Sequence, residues 1–258
     1  MPMINNFIRG KKNMHHLTKK IGAGLILMSS AMVAQAELAG NISISNNYLW
    51  RGLTQTTDQP AISGGLDWSH DSGVYVGTWV SNVEYAADDA FSYEHDMYLG
   101  FAGETEGGLS YDIGYLYYNY NEDANFDFSE IYGSLGYGGF SVTAFVLVDT
   151  EAEESAGQGV IGEDYDFGFG EAIYISADYG FAMPNVEGVD IGLHVGYHDG
   201  DFVDAFNFAD GTTEYVDWNV SLAKGGFSFV VSGTDLDESP VTVNNDDVKY
   251  VVSYGIDF

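Results

Sequence analysis

Carboxylates are the chemistry this sequence offers most of, with 39 Asp and Glu against 8 Lys and Arg and no cysteine. Without thiols there is no disulfide framework, no thiolate metal site and no cysteine nucleophile. Arg9, Lys11, Lys12, Lys19 and Lys20 all precede residue 21 and no acid precedes Glu37, so the chain from Glu37 onward keeps only Arg51, Lys224 and Lys249 as bases. A chain so anionic cannot neutralise phosphates, which excludes nucleic acid as a partner. Carboxylates ringed around a watery passage attract cations and repel anions. Asp67, Glu94, Asp96, Asp112, Glu130, Asp190 and Asp217 are spaced for this, each in the polar phase of an alternating segment.

The scarce bases add to that arrangement. Arg51 closes the first alternating segment and Lys249 opens the last, so closing the sheet puts both on one wall, opposite Glu94, Asp96 and Glu130. That geometry predicts a transverse field across a constriction; the competing placement is a bidentate pair between Arg51 and a carboxylate of an external loop. Lys224 falls in a short turn with Gly225 and Gly226.

Other chemistries are poorly served. Beyond residue 36 the histidines are His70, His95, His194 and His198; His194 shares the inward phase with Asp190, His70 lies in a turn and His95 faces outward. A Ser-His-acid relay needs converging partners, and no G-x-S-x-G motif accompanies them, so neither catalysis nor a cofactor is predicted. Acidic clusters at Asp88-Asp89, Glu122-Asp123, Glu151 through Glu154, Glu163-Asp164, Asp235 through Glu238 and Asp246-Asp247 are solvated loop faces; oxygen ligation of Ca²⁺ or Mg²⁺ is the alternative, without a twelve-residue calcium loop to support it.

The elements that position these groups are strands. Past residue 36 apolar residues alternate with period two. Ile42, Ile44, Tyr48 and Trp50 oppose Asn41, Ser43, Ser45 and Asn47; Tyr93, Met97, Leu99 and Phe101 oppose Glu94, Asp96, Tyr98 and Gly100. Twelve such runs follow one another, with short connections near Asp71, Glu106, Gly138, Pro184 and Gly225 alternating with long ones near Asp58, Asp88, Asp123, Glu154, Asp210 and Asp237. The expected fold is all-β: a membrane-spanning, up-and-down antiparallel barrel of about 12 strands, with tight periplasmic turns and longer external loops. A soluble sandwich also alternates but needs no such loop rhythm. Tyr48, Trp50, Trp68, Tyr117 and Tyr250 fall toward strand ends, where aromatic girdles meet headgroups. The run from 74 to 80 carries apolar residues in both phases, Val74, Val76 and Val80 in one, Tyr75 and Trp79 in the other, and its facing stays open.

Both ends of the chain agree with export. A basic region through Lys20, a 13-residue apolar run from Ile21 to Val33 and Ala34-Gln35-Ala36 read as a signal peptide spanning 1–36; a membrane helix needs about 20 apolar residues. Met14 is an alternative start. The barrel domain is then 37–258. At the other end Val248, Tyr250, Val252, Tyr254, Ile256 and Phe258 share one face, and a strand ending in an aromatic residue resembles the signal read by the outer-membrane assembly machinery.

Two stretches, NNYLWRGLTQT from Asn46 to Thr56 and PAISGGLDWSHDSGVYVGTWVSNV from Pro60 to Val83, resemble the opening strands of TorF-family porins, densely over 45–83 and by strand spacing to Phe258. The resemblance implies an outer-membrane barrel with a proposed pore role; it brings no substrate and no catalytic residues. The expectation is a narrow, cation-preferring diffusion channel for small solutes, in contact with outer-membrane lipid and lipopolysaccharide. The alternative is a non-conducting structural or adhesive barrel acting through its acidic loops, its bore obstructed by Tyr98, Tyr118, Tyr132 and Phe145.

Overall fold

Segments that alternate in polarity must present one face to an apolar phase and the other to a polar interior, and a ring of them has no exposed backbone edge. The computed structural model describes residues 37–86, 89–152, 166–203, 214–237 and 245–258; the signal-peptide reading and parts of the acidic loops, including Asp88, Glu154, Glu163-Asp164 and Glu238, lie outside them. Twelve strands close into one antiparallel barrel: β1 (Glu37–Ser45), β4 (Ala61–Ser69), β5 (Val74–Asn82), β6 (Tyr93–Glu104), β7 (Leu109–Asn119), β8 (Phe128–Tyr137), β9 (Phe140–Thr150), β10 (Ile173–Ala182), β11 (Asp190–Asp199), β12 (Glu214–Lys224), β13 (Phe227–Thr234) and β14 (Lys249–Asp257). Each pairs with its predecessor, and β1 closes on β14 from Asn41↔Asp257 to Ser45↔Ser253. The remaining two strands, β2 (Leu49–Trp50) and β3 (Leu53–Thr54), form a separate hairpin.

Short turns gather at one end of the barrel with Glu37 and Phe258; the strand ends that the long connections join lie at the other. Gly225 and Gly226 join β12 to β13 with φ of 57° and 88°, the left-handed pair that a two-residue hairpin turn requires. At the seam Gly40 and Phe258 exchange backbone hydrogen bonds of 2.8 and 2.9 Å. The Phe258 ring lies against Gly40 on the outer face, where an added Cβ would come within 2.6 Å of it.

The outer surface is an apolar belt. Ile42, Ile62, Leu66, Leu99, Ile113, Leu135, Val195, Val220 and Val252 are all exposed there, while the opposite phase is buried or half-buried. The strand whose facing the sequence left open resolves cleanly: Val74, Val76 and Val80 are exposed, and Tyr75 and Trp79 are buried. Two expected girdle residues are corrected. The first strand ends at Ser45, and the chain turns inward before Tyr48 and Trp50, so Tyr48 is buried and Trp50 packs against interior rings. Trp68 and Tyr250 do lie on the outer surface.

The glycines set into these strands have a packing role. Register aligns Tyr75, Gly100, Gly114 and Tyr132 across β5 to β8. The two phenols lie toward each other over the two glycines, and their hydroxyls meet, with Asp112 Oδ1 accepting from Tyr75 at 2.7 Å. A Cβ on Gly100 would collide with the Tyr75 hydroxyl, and one on Gly114 with that of Tyr132. Tyr98 covers Gly77 in the same way. This is aromatic rescue of strand glycine, turned inward.

Gly114→Ala is therefore expected to displace the Tyr132 ring and lower stability by about 1–3 kcal/mol. Gly133→Ala, at an outward glycine whose added Cβ would meet nothing nearer than 4.0 Å, should leave it unchanged. Urea unfolding followed by tryptophan fluorescence checks the pair.

Candidate functional site

The segment from Asn46 to Pro60, between β1 and β4, does not stay at the rim. It folds into the bore as the hairpin β2–β3, with Leu49 paired to Thr54 and Trp50 to Leu53. Arg51 and Gly52 form its two-residue turn with φ of 48° and 82°, a left-handed pair in which arginine is an uncommon choice. Asn46 makes the departure from the wall possible. Its side chain donates to Tyr250 O at 3.0 Å and accepts from Val252 N at 2.7 Å, completing the backbone bonding of β14 where β1 has ended.

The hairpin tip reaches the far side. Arg51 Nη2 lies 2.8 and 2.7 Å from the two Glu130 oxygens on β8, and Nη1 lies 2.9 Å from His198 Nε2 on β11. The guanidinium carbon stands 4.3 Å from the ring centroids of Trp50 and Tyr174 and 5.0 Å from that of Phe145, a stacking environment that suits arginine rather than lysine. Tyr215 on β12 donates to Arg51 O at 2.9 Å. Gly52 sits so close to β12 and β13 that a Cβ would fall 2.7 Å from Asp217 Cβ and 2.8 Å from Thr234 Cγ2.

The root of the hairpin is tied to the opposite wall. Lys249 Nζ pairs with Asp58 Oδ2 at 2.7 Å, and the other Asp58 oxygen accepts from Asn47 at 2.7 Å. Asn47 Oδ1 in turn accepts from Thr54 and Thr56 at 2.7 and 3.1 Å. The expected placement of Arg51 and Lys249 together on one wall is thus corrected: the turn carries Arg51 across the bore into direct contact with Glu130, so no open gap separates that cation from its carboxylate.

Phenols serve the inward carboxylates. Glu94 accepts from Tyr48 at 2.7 Å and from Tyr120 at 3.0 Å, and Glu130 accepts from Tyr118 at 2.9 Å. Burial, then the adjacent Glu94 carboxylate, pushes the Tyr48 phenol well above its usual range, so it remains a donor. Tyr98 donates to Asp67 and Tyr75 to Asp112. Asp217 accepts from Tyr174 at 2.9 Å and lies 2.9 Å from His194 Nε2, whose Nδ1 lies 2.7 Å from Asp178. Asp96 is buried, and neither of its oxygens is bonded among the described residues.

Arg51, Glu94, Asp96, Glu130, Asp217 and Lys249 cluster toward the loop end and are all buried, Asp112 is buried nearer the turn end, and Asp67 and Asp190 are half-buried there. Asp190 is separate from His194, whose carboxylate partners are Asp178 and Asp217 and whose Nε2 also lies 3.0 Å from the Tyr174 hydroxyl. Sequence reasoning missed the hairpin, Asp178 and the contact of His198 with Arg51. The Arg-Gly pair at 51–52, flanked by Leu-Trp and Leu-Thr, is the local signal for a two-residue hairpin. Above the cluster, Phe91, Phe126, Phe128, Phe202 and Tyr120 pack edge to face, stacked or tilted at the mouth, with centroids 5.5 to 6.3 Å apart.

No curated protein matches the chain. Among solved structures it is similar to the KdgM porin, at 8% identity and a TM-score of 0.49 over 85% of this chain and 98% of that one. It is similar also to OprD of Pseudomonas aeruginosa, at 10% identity and a TM-score of 0.40 over 89% of this chain and 68% of that one. The outer membrane protein opdK of Pseudomonas aeruginosa gives 16% identity and a TM-score of 0.39 over the same shares. The fold assignment rests on the strand pairing of this chain itself. Over residues 30–254 the chain matches, and so belongs to, the family described as "Bacterial protein of unknown function (Gcw_chp)".

Proposed function

We propose that the chain, processed after Ala36, spans the bacterial outer membrane as a barrel and serves as a narrow passive channel for small solutes that favours cations. One observation carries the reading: a closed twelve-stranded ring with an exposed apolar outer face and carboxylates on its inner face. Such a belt on a water-soluble monomer would far exceed the apolar patches soluble proteins tolerate. In hydrocarbon, by contrast, a closed ring is the strand arrangement that satisfies every backbone donor and acceptor. Phe258 at the seam supports recognition of the last strand by the assembly machinery, and the loop end supports contact with lipopolysaccharide.

The inner face supports cation preference. Arg51 is paired with Glu130 and Lys249 with Asp58, while Glu94, Asp96, Asp67 and Asp112 have no cationic side chain bonded to them among the described residues. The hairpin supports a narrow bore, and it is also the specific observation favouring a second reading, a non-conducting barrel that acts through its loops. Residues 46–56, one of the two stretches that resemble TorF-family porins, include the hairpin that enters the bore.

Two measurements test the proposal. In planar bilayers under a salt gradient, the folded protein should give discrete steps with a cation-biased reversal potential, and Glu94→Gln with Asp96→Asn should move that potential toward zero; silence from folded protein favours the second reading. Arg51→Ala strips Glu130 of its cation and costs the docked hairpin about 3–5 kcal/mol. The expected result is a larger and noisier single-channel step than in the unsubstituted protein, with the barrel itself intact by circular dichroism.

A further inference from the structure

Six carboxylates are buried among the described residues: Glu94, Asp96, Asp112, Asp127, Glu130 and Asp217. Five of them accept a phenolic hydroxyl: Glu94 from Tyr48 and Tyr120, Asp112 from Tyr75, Asp127 from Tyr117, Glu130 from Tyr118 and Asp217 from Tyr174. Asp96 departs from the pattern. It is 1% exposed, and neither of its oxygens has a hydrogen-bond partner among the described residues. A buried ionised carboxylate left without donors is among the costliest arrangements a protein can hold.

Its neighbours do not relieve it. Strand pairing sets Asp96 between Trp79 on β5 and Tyr118 on β7. The single hydroxyl proton of Tyr118 goes to Glu130, and that of Tyr48 to Glu94. Glu94 and Glu130 both act on Asp96 with negative charge. Glu94 lies two residues along the same strand and face. Arg51 is the guanidinium within this group and is engaged with Glu130. Three carboxylates set against one guanidinium leave two negative charges without a counter-charge.

We propose that Asp96 and Glu94 together hold a hard divalent cation, of the Ca²⁺ or Mg²⁺ class, in the loop end of the lumen. The donors are oxygens alone, which selects hard cations over thiophilic or imidazole-seeking metals. Each Glu94 oxygen accepts one phenol and keeps a lone pair free. Two protein carboxylates, with water completing the shell, is a ligand count at which Mg²⁺ is commonly held and from which Ca²⁺ can be built up. A charge of +2 balances the group. The inference goes beyond the channel reading, because it concerns equilibrium occupancy of a buried site whether or not the barrel conducts.

The test uses the full barrel extracted into detergent, stripped with a chelator and titrated calorimetrically with CaCl₂ or MgCl₂. Loop carboxylates contribute equally to the unsubstituted protein and to the near-isosteric Asp96→Asn, so the difference reports this site. The expected result is one equivalent of cation per chain lost in Asp96→Asn. Equal stoichiometry in the two proteins overturns the proposal. So does an infrared band of a protonated carboxyl group that vanishes in Asp96→Asn, since a proton would then neutralise the site. Tb³⁺ emission excited through tryptophan decides the matter without Asp96→Asn, should that variant fail to fold. Strong sensitised emission that falls in Trp79→Phe, with Ca²⁺ stoichiometry kept, supports the site, and an undiminished signal in Trp79→Phe overturns it.

Discussion

Closure of the sheet is the constraint from which the rest follows. Once β1 bonds to β14, every strand has two neighbours and no backbone edge is left along the wall. Each residue must then point either out or in, with no third option. The outward set is free to be uniformly apolar. The inward set inherits a confined volume, in which every buried polar group needs a partner supplied by the wall or by a segment sent in from the rim.

The chain meets that demand with tyrosine. A phenol fills volume, stays neutral and brings one donor, so it can satisfy a carboxylate without importing a second buried charge that would itself need solvating. A hydrogen bond of this kind, to a charged acceptor, contributes about 1.5–3 kcal/mol where the acceptor stays ionised. The ring must lie along the wall for its hydroxyl to reach, and glycine on the facing strand clears that space, as at Gly77 for Tyr98 and Gly114 for Tyr132. High glycine and high tyrosine content are thus two sides of one packing solution. The same logic explains why asparagine recurs at strand ends: Asn46, Asn82 and Asn121 each accept backbone N–H groups where a neighbouring strand has run out.

The barrel was legible in the sequence because alternation is local: Ile42 and Ile44 against Asn41 and Ser43 can be read without knowing what lies across the bore. The inward carboxylates were legible for the same reason. Period two failed at Tyr48 and Trp50, which continue the arithmetic of β1 while the backbone has already left the wall. The departure after Ser45 brings no change in hydrophobic pattern, and the left-handed Arg51 and Gly52 mark only the later reversal at the hairpin tip. The partners of Arg51 were illegible too, since Glu130 and His198 lie 79 and 147 residues away and only the ring brings them together. In the strand from Val74 to Asn82 both phases are apolar because tyrosine and tryptophan belong to the interior's vocabulary as well as to the exterior's. Composition alone does not separate the two uses.

The strain at Arg51 indicates how firmly the bore is crossed. A left-handed, non-glycine residue is held at a cost of order 1–3 kcal/mol, and one carboxylate pair at the surface would barely offset that. Inside the barrel the pair is desolvated, three aromatic rings face the guanidinium, and Tyr215 holds the backbone carbonyl of the same residue. Apart from Trp50, which belongs to the hairpin itself, these contacts sit on β8 through β12, while the root of the hairpin is fixed to β14 through Lys249 and Asn46. A segment pinned on both walls cannot swing out as a lid does. Any widening must therefore come from releasing the tip alone, with the root staying bonded to β14. The turn lies against Glu130, His198 and Tyr215, so a passage made in that way would run along β8 through β12 and would be lined by Glu130, the carboxylate that the departing guanidinium leaves behind.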